Sequence, residues 1–290
     1  MRYMFIHAYQ DEFPIRRMCQ VLAVSPSGYY AWLRRPESAQ TQANRKLVME
    51  IRAIHARSRG TYGSPRVYAD LQLRGFRVGR NRIARLMHLE KIYGRRRKKK
   101  FPHTTNSQHD YPAAPNRLNR EFQAMHPNEK WLADITYIPT TEGWLYLAVV
   151  MDLFSRKIVG WAFSDSLESS LVEQAFQMAV QNAATLHDLL HHSDRGSQYA
   201  ADAYQQLLIA QHVQVSMSRR GDCYDNAPME SFFGTLKSEC VHHRTYQTRQ
   251  EAITDIFSYI LGFYNRERLH SSLGYLSPEE FERRYYQTLS

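Results

Sequence analysis

Hydrophobic residues in the first 93 positions recur every three or four residues, which is the period of amphipathic helices. The pattern predicts a helix over residues 15–22 and a second, short helix that ends near Trp32. Ser25 and Pro26 suit the cap and the first turn of that second helix. Two short helices around a tight turn fit a helix-turn-helix, and they fit an ordinary helical hairpin equally well.

A second group of three helices is predicted over residues 41–93. The first carries Leu47, Ile51 and Ile54 on one face, and the second begins at Ser64. The third covers residues 81–89 and places its apolar side chains inward. From residue 101 to 125 the periodicity disappears, and this stretch is interpreted as a linker.

After Trp131 the hydrophobic pattern changes to that of β-strands separated by short turns. Three strands are predicted, over residues 131–138, 144–153 and 157–163, and the short turns favour an antiparallel meander. Strands and helices then alternate as in an α/β sheet. The remaining elements are expected at residues 189–193 (strand), 199–210 (helix), 213–216 (strand), 228–240 (helix) and 252–266 (last helix). Asp165 and Glu168 resemble a capping box at the start of a helix through Leu171.

The composition of the 290 residues is that of a globular protein, with 43% hydrophobic and 23% charged residues. The longest apolar run, residues 144–151, is too short for a membrane helix, and the first residues do not resemble a signal peptide. Three widely spaced cysteines favour neither a disulfide framework nor a cysteine-based zinc site. We therefore expect a soluble protein of the cytoplasm, without a membrane partner.

The positive net charge is concentrated in the first part of the chain. Residues 1–110 contain 23 Lys and Arg against 7 Asp and Glu, while residues 111–290 contain 15 against 21. A basic segment before an acidic one indicates a polyanion as partner. Arg80, Arg82 and Arg85 on the third helix suit a duplex groove, and the six cations from Arg95 to Lys100 suit a phosphate-binding strap. Solvated surface cations are the alternative for both groups.

Three carboxylates stand at positions where a carboxylate is unusual. Asp134 lies inside an apolar strand, Asp194 follows another strand, and Glu230 is in the first turn of a helix. Each has an ordinary interpretation, respectively an ion pair, a turn and a favourable interaction with the helix dipole. Together they could form an all-oxygen site for Mg²⁺ or Mn²⁺, and two such ions suit phosphodiester chemistry.

The sequence around these carboxylates resembles that of the OrfB-type transposases of bacterial insertion sequences, the IS-three group. These transposases have a catalytic core of retroviral-integrase type. A segment near the amino terminus also resembles the helix-turn-helix module of that family. The matching segments are residues 62–67, 131–137, 192–199, 225–233 and 264–278.

The resemblance implies an RNase H-like mixed sheet flanked by helices, preceded by an all-α helix-turn-helix region. It implies that Asp134, Asp194 and Glu230 bind two Mg²⁺ ions, which Mn²⁺ can replace. These ions would support hydrolysis at an element end and attack of the freed 3′-hydroxyl on another phosphodiester. Lys237 matches a basic position that contacts element-end DNA, with a solvated lysine as the alternative. The other residues predicted to contact DNA are Arg66, Arg80, Arg82, Arg85, Arg95 and Lys98.

The expected organisation has four segments. They are a helix-turn-helix-like segment (1–40), a DNA-binding domain with its basic strap (41–100), a linker (101–125) and the catalytic core with a helical tail (126–290). The expected partners are double-stranded DNA, further copies of the chain and the product of an upstream reading frame, separate or fused by frameshifting. The family also implies a bacterial, nucleoid-associated protein. An RNase H-like nuclease without strand transfer and a non-catalytic DNA-binding protein are the two rival functions.

Overall fold

The computed structural model describes residues 1–95, 114–183, 186–220 and 222–289. The chain divides into two compact units, residues 1–51 and residues 52–290. Lys98 and the rest of the predicted strap after Arg95 lie outside the described residues, as does most of the predicted linker.

The first unit consists of helices. They are α1 (Arg2–Ala8), α2 (Ile15–Val21), α3 (Pro26–Leu33) and the beginning of α4 (Ala39–Arg57). The predicted cap of α3 is confirmed, because the Ser25 hydroxyl accepts a hydrogen bond from the Gly28 amide at 3.0 Å. A small core of Ile6, Met18, Cys19 and Tyr29 holds the unit together. Helix α1 was not predicted, because Ile6 is its single buried residue and creates no period.

Two further predicted helices open the second unit, after the end of α4. They are α5 (Ser64–Leu73) and α6 (Arg80–Leu89). Between them Gly75 has a φ of 82°, a left-handed conformation that glycine adopts without a Cβ penalty. Ile83, Leu86 and Met87 of α6 are buried, as its hydrophobic pattern predicted.

A five-stranded mixed sheet forms the centre of the second unit. Its strands are β1 (Lys130–Thr140), β2 (Gly143–Asp152), β3 (Ile158–Ser164), β4 (Leu190–Ser193) and β5 (Gln214–Met217). Their order is β3-β2-β1-β4-β5. The predicted antiparallel meander of β1 to β3 is confirmed, and β4 pairs in parallel with β1 and with β5.

Further helices lie between and after the strands of this sheet along the chain. They are α7 (Ser169–Asn182), α8 (Ser197–Ala200), α9 (Asp202–Ala210), α10 (Ala227–Glu239), α11 (Arg249–Phe257) and α12 (Pro278–Leu289). Trp131 and Ala133 of β1 pack in one core with Phe176 of α7. Because successive strand residues point to opposite faces, Asp134 points to the other face, and α10 packs against β1.

Two local predictions were wrong. The capping box of Asp165 and Glu168 is not formed: α7 begins at Ser169 with Glu168 as its N-cap, and no side chain caps it. Asp165 lies three residues before this cap, too early to serve as the capping residue. The predicted last helix ends as an α-helix at Phe257 and continues as a π-helix over Ser258–Tyr264, and α12 follows it. No helix in the described part of the chain is long and apolar enough to cross a membrane.

Candidate active site

Asp134 lies on β1, and Asp194 directly follows β4, the parallel strand beside it. The register of β1 and β4 pairs Ala133 with Ser193, and each aspartate is the next residue along the chain. Since paired strands are about 4.8 Å apart, the two residues are neighbours at the point where β4 ends. This is the carboxyl edge of the parallel pair, where α/β sheets place their sites.

The ionisation of Asp134 is strongly perturbed in this position. Burial raises the pKa of Asp134 well above its usual range, and the negative charge of Asp194 raises it further. A hydrogen bond from the Ile135 amide at 2.8 Å lowers the pKa, the charge of Glu230 raises it and the charge of Lys237 lowers it. The other two predicted carboxylates and the predicted lysine therefore all act on Asp134.

The backbone around Asp194 is held in place by short contacts. The Gly196 amide donates to the Asp194 carboxylate at 2.9 Å, and the Ser193 hydroxyl donates to the Asp194 carbonyl at 3.0 Å. The Arg195 side chain donates to the Ser218 carbonyl at 2.6 Å, which ties the residues after β4 to those after β5.

Glu230 reaches the site because the start of α10 is attached to β1. The Nδ2 atom of the Asn226 side chain donates to the carbonyl of Ala133, the residue before Asp134, at 3.3 Å. Lys237 comes seven residues after Glu230, almost two full turns, and so shares its helix face. Burial lowers the pKa of Lys237, and the charge of Asp134 opposes that shift.

Asp225 fixes the loop that leads into α10. Its fully buried carboxylate accepts hydrogen bonds from Arg219 at 2.6 Å, from Arg120 at 2.9 Å and from Asn116 at 2.8 Å. The Arg219 side chain is the largest cause that lowers the pKa of Asp225, so this carboxylate is ionised at neutral pH. These hydrogen bonds hold the loop before α10 in place.

His192 is a buried, neutral hydrogen-bonding group beneath the site. Its two ring nitrogens lie 2.8 Å from the Ser216 hydroxyl and 3.1 Å from the Ser218 hydroxyl. Burial lowers the pKa of His192 to about 4. The Ser216 hydroxyl also accepts from the amides of Arg117 and Leu118, so one histidine links β4, β5 and the segment before β1.

The donor set at the site consists of carboxylate oxygens, which hard divalent cations prefer. Within the described part of the chain, no three Asp, Glu, His or Cys side chains already stand together as metal ligands do. The charges of Asp194 and Glu230, which raise the pKa of Asp134, are the charges that a cation would compensate. The chemistry of the three residues therefore fits a divalent metal ion.

Models of known protein families match most of the chain. An integrase core domain matches residues 124–223, a further integrase core domain model matches residues 230–286, and an HTH-like domain matches residues 42–100. Transposase InsF for insertion sequence IS3A of Escherichia coli is 39% identical over 97% of this chain and 98% of its own length. An uncharacterized 31 kDa protein of insertion element IS600 from Shigella sonnei is 46% identical over 93% and 99%.

The chain belongs to the IS3-family transposases. Its resemblance to this family and its RNase H-like, integrase-type fold class are thereby confirmed. Among solved structures, a chain of the simian T-cell lymphotropic virus intasome is 16% identical with a TM-score of 0.47, covering 74% of this chain and 69% of that one. The HTLV-2 integrase catalytic core in complex with magnesium is also 16% identical, with a TM-score of 0.44 over 55% and 99%.

The cations predicted to contact DNA are distributed over several places of the transposase. On α6, Arg80 and Arg85 are exposed and Arg82 is partly buried. Arg66 of α5 lies inward, where its Nε donates to the Leu269 carbonyl at 2.9 Å and its guanidinium stands over the Tyr62 ring. Arg95 donates to the Glu239 carbonyl at the end of α10.

Sequence reasoning missed the residues between α4 and α5 that contact the tail of the transposase. Tyr62 accepts from the Leu269 amide at 2.8 Å and donates to the Glu267 carbonyl at 3.1 Å, and Arg59 pairs with Asp255 at 2.8 Å. These partners are about 200 residues apart in sequence, so no local pattern reveals them. The matching tail motif at residues 264–278 was the available signal, but it carries no information about its partner.

Proposed function

We propose that this IS3-family transposase cleaves phosphodiester bonds at the ends of an insertion sequence and joins the freed 3′-hydroxyl to DNA. The observation that supports this proposal most strongly is the strand register that puts Asp134 beside Asp194. In addition, Asn226 attaches the helix of Glu230 to the strand of Asp134. A hydrolytic cut and a strand-transfer step are both in-line displacements at phosphorus, so one site serves both.

In this proposal Asp134, Asp194 and Glu230 hold two Mg²⁺ ions, which Mn²⁺ can replace. When bound there, the ions activate the attacking oxygen and stabilise the leaving oxygen. The chain itself contributes position and charge: β1 and β4 keep the two aspartates adjacent, and α10 presents Glu230 and Lys237 on one face. The Lys237 ammonium is close enough to Asp134 to shift its pKa, and it contacts a phosphate of the element end.

The proposed partners are double-stranded DNA, as element end and as target, and further copies of the transposase. The helices α5 and α6 fall within the match to the HTH-like domain. Exposed arginines on α6, Arg80 and Arg85, are suited to a duplex groove, and Arg82 lies on the same helix. Arg66, Arg95 and Lys98 stay predicted DNA contacts of the same region.

The test is a strand-transfer assay on a labelled element end with Mg²⁺, with DNA binding measured in parallel. Joined products from the parent, and none from Asp194→Asn with retained binding, support the proposal. Nicks without joining would indicate an RNase H-like nuclease, and a shifted band without cleavage would indicate a DNA-binding protein. The matched control is Asp202→Asn, which removes the same charge from the first turn of α9.

A further inference from the structure

A cavity of about 350 Å³ lies beside α10, on a different face of this helix from Glu230. Its walls come from the first turns of α10, the turn between β2 and β3, α5 and the segment after the π-helix. The polar side chains that line it are three arginines, a histidine and hydroxyl groups, and no carboxylate is among them. The groups used below are Arg66, Arg156, Arg268, His270, Ser231 and Thr235.

The positive charge of this cavity is compensated only in part. Arg268 forms a bidentate pair with buried Glu239. Within the described residues, neither Arg66 nor Arg156 forms an ion pair with a carboxylate. The Nε of Arg66 donates to the Leu269 carbonyl at 2.9 Å, and the Nη2 of Arg156 donates to the Phe122 carbonyl at 3.3 Å. Two guanidinium groups are thus left without a directly paired carboxylate, and the charges of Glu239 and Asp152 act on Arg66 and Arg156 only from a distance.

Holding these two charges inside the protein is unfavourable. Burial lowers the pKa of Arg66, and the neighbouring Arg268 charge lowers it further. Burial likewise lowers the pKa of Arg156. Arg156 also has a φ of 62°, a left-handed conformation that an arginine adopts at a cost. Buried charges without a partner are expensive, so the site is suited to an anion that supplies the missing charge.

Uncharged donors complete the lining. The Nε2 atom of His270 is buried and has no hydrogen-bond partner within the described part of the chain. Burial and the surrounding arginines hold the pKa of His270 well below its usual range, so the ring is neutral and can donate or accept through that nitrogen. The Ser231 and Thr235 hydroxyls lie along the α10 wall, and Ala227 and Pro228 bring the positive end of the helix dipole to the cavity.

We propose that this cavity binds one phosphate group of the DNA backbone and thereby fixes DNA against the helix that carries Glu230. Two guanidinium groups that line one cavity match the oxygens of a single phosphate, which arginine recognises through parallel hydrogen bonds. The inference rests on the proposed function, because it takes DNA as the ligand. It assigns Arg66 to this cavity rather than to the groove-binding surface of α6.

The first test uses inorganic phosphate and needs no catalytic activity. The melting temperature of the full chain is measured in phosphate and in chloride at equal ionic strength. Phosphate should raise it for the parent and for the control Arg266→Gln, whose exposed guanidinium pairs with Glu279 at 3.5 Å. Arg156→Gln should lose most of this rise, yet melt no lower than the parent in chloride, because it removes an uncompensated charge.

The second test measures the affinity for duplex DNA against salt concentration. One phosphate contact contributes about −0.9 to the slope of log K against log salt, so Arg156→Gln should reduce the slope by about that amount and the affinity about tenfold. Arg66→Gln should do the same, and the double variant should add little to the slope, because both arginines hold one phosphate. Arg266→Gln should match the parent.

The outcomes separate this inference from the proposed function. Unchanged slopes for Arg156→Gln and Arg66→Gln would overturn it, and stabilisation by inorganic phosphate with unchanged slopes would leave a small-anion site unrelated to DNA. Loss of strand transfer in Asp194→Asn with those unchanged slopes would keep the proposed function and remove only this cavity's role. If the parent neither cuts nor joins DNA, the proposed function fails irrespective of the phosphate result.

Discussion

Arg268 and Glu239 form a bidentate ion pair inside the protein, with Nε to Oε2 at 2.8 Å and Nη2 to Oε1 at 2.7 Å. Both side chains are less than a tenth exposed. The Tyr259 hydroxyl also donates to Oε2 of Glu239 at 2.8 Å. The pair joins the tail to the end of α10, so the position of the helix carrying Glu230 depends on a contact outside the candidate site.

Removing one partner of this pair should strongly destabilise the fold. Glu239→Gln leaves the Arg268 charge buried without compensation, and we expect it to lower the free energy of unfolding by about 3–5 kcal/mol. Urea denaturation measures the change. The control Glu279→Gln breaks an exposed pair with Arg266 and should cost less than about 1 kcal/mol. Adding Arg268→Met to Glu239→Gln should restore part of the loss; no recovery would contradict the charge argument.

The packing of α7 on β3 depends on Gly160. A Cβ built there would lie 2.1 Å from the Ala175 carbonyl oxygen and 2.8 Å from the backbone nitrogen of Ala179. Backbone atoms cannot move aside cheaply, so Gly160→Ala should destabilise the protein by about 1–3 kcal/mol or more. Gly262→Ala is the matched control, since a Cβ there meets nothing within 4 Å. Equal melting temperatures for the two variants would show that α7 and β3 are not this close.

Asp152 should make the transposase less stable as the pH rises from 4 to 7. Its carboxylate is buried and caps the turn after β2, accepting a hydrogen bond from the Phe154 amide at 2.6 Å. Burial raises the pKa of Asp152 to about 6, against an ordinary value of 3.8. Between those values the unfolded chain loses its proton before the folded one. Rising pH therefore favours unfolding, by about 2 kcal/mol over this window, and the penalty is complete above pH 6.

This contribution is measured by comparing parent and Asp152→Asn in urea at pH 4 and pH 7. The amide removes the titration, so the variant should lose about 2 kcal/mol less than the parent between the two pH values. The lost hydrogen bonds of the variant lower its stability at both pH values and cancel in the difference. The same pH response in both proteins would assign the titration to another group.

The sheet and the three carboxylates were predictable because their signals are local. Alternating apolar residues mark β1, and a carboxylate within such a strand is conspicuous, as at Asp134. Asp194 follows an apolar run, which correctly suggested the end of a strand, and this strand pairs in parallel with β1. The function of the carboxylates could not be obtained from the hydrophobic pattern alone. The proximity of Asp134 and Asp194 depends on a strand register that the sequence does not display.

The long-range contacts of the tail could not be predicted. Glu239 follows a helical pattern and Arg268 lies in a recognisable motif, yet nothing in either segment indicates that they pair. The cap of α7 was mispredicted for a related reason, since two acidic residues in the expected spacing did not fix where the helix begins. Local periodicity determines elements, whereas partner choice depends on packing between distant segments.

Asp134→Asn should separate fold from chemistry. The amide has nearly the same volume, and it removes a charge disfavoured by burial and by Asp194. We expect the variant to melt no lower than the parent in EDTA, to lose most stabilisation by Mg²⁺ and to lose strand transfer, because an amide is a poorer ligand for a hard cation. Calorimetry with and without Mg²⁺ tests this; a lower melting temperature in EDTA would give Asp134 a structural role.

Adding Glu230→Gln to this variant should cost little more activity, since an incomplete metal pair leaves little for a second substitution to remove. Residual strand transfer is measured for both single variants and for the double variant. If the two losses multiply, the residues act independently and the shared-site proposal is contradicted.

Lys237 should affect metal affinity and DNA affinity in opposite directions. Its charge lowers the pKa of Asp134 and so compensates part of the negative charge at the site. Lys237→Gln removes that compensation, so the carboxylates at the site attract a cation more strongly. The Mg²⁺ concentration for half-maximal stabilisation should therefore fall. The same change removes a proposed phosphate contact, so affinity for an element-end duplex should fall and the salt slope of that affinity should decrease by about 0.9.

Two control variants accompany Lys237→Gln. Lys237→Arg should keep both properties near the parent's values, whereas Arg283→Gln, on exposed α12, controls for the loss of one cation elsewhere. If Lys237 has a purely structural role, Lys237→Gln should lower stability without changing Mg²⁺ affinity and DNA affinity in opposite directions. Unchanged Mg²⁺ dependence together with an unchanged salt slope would exclude Lys237 from the site.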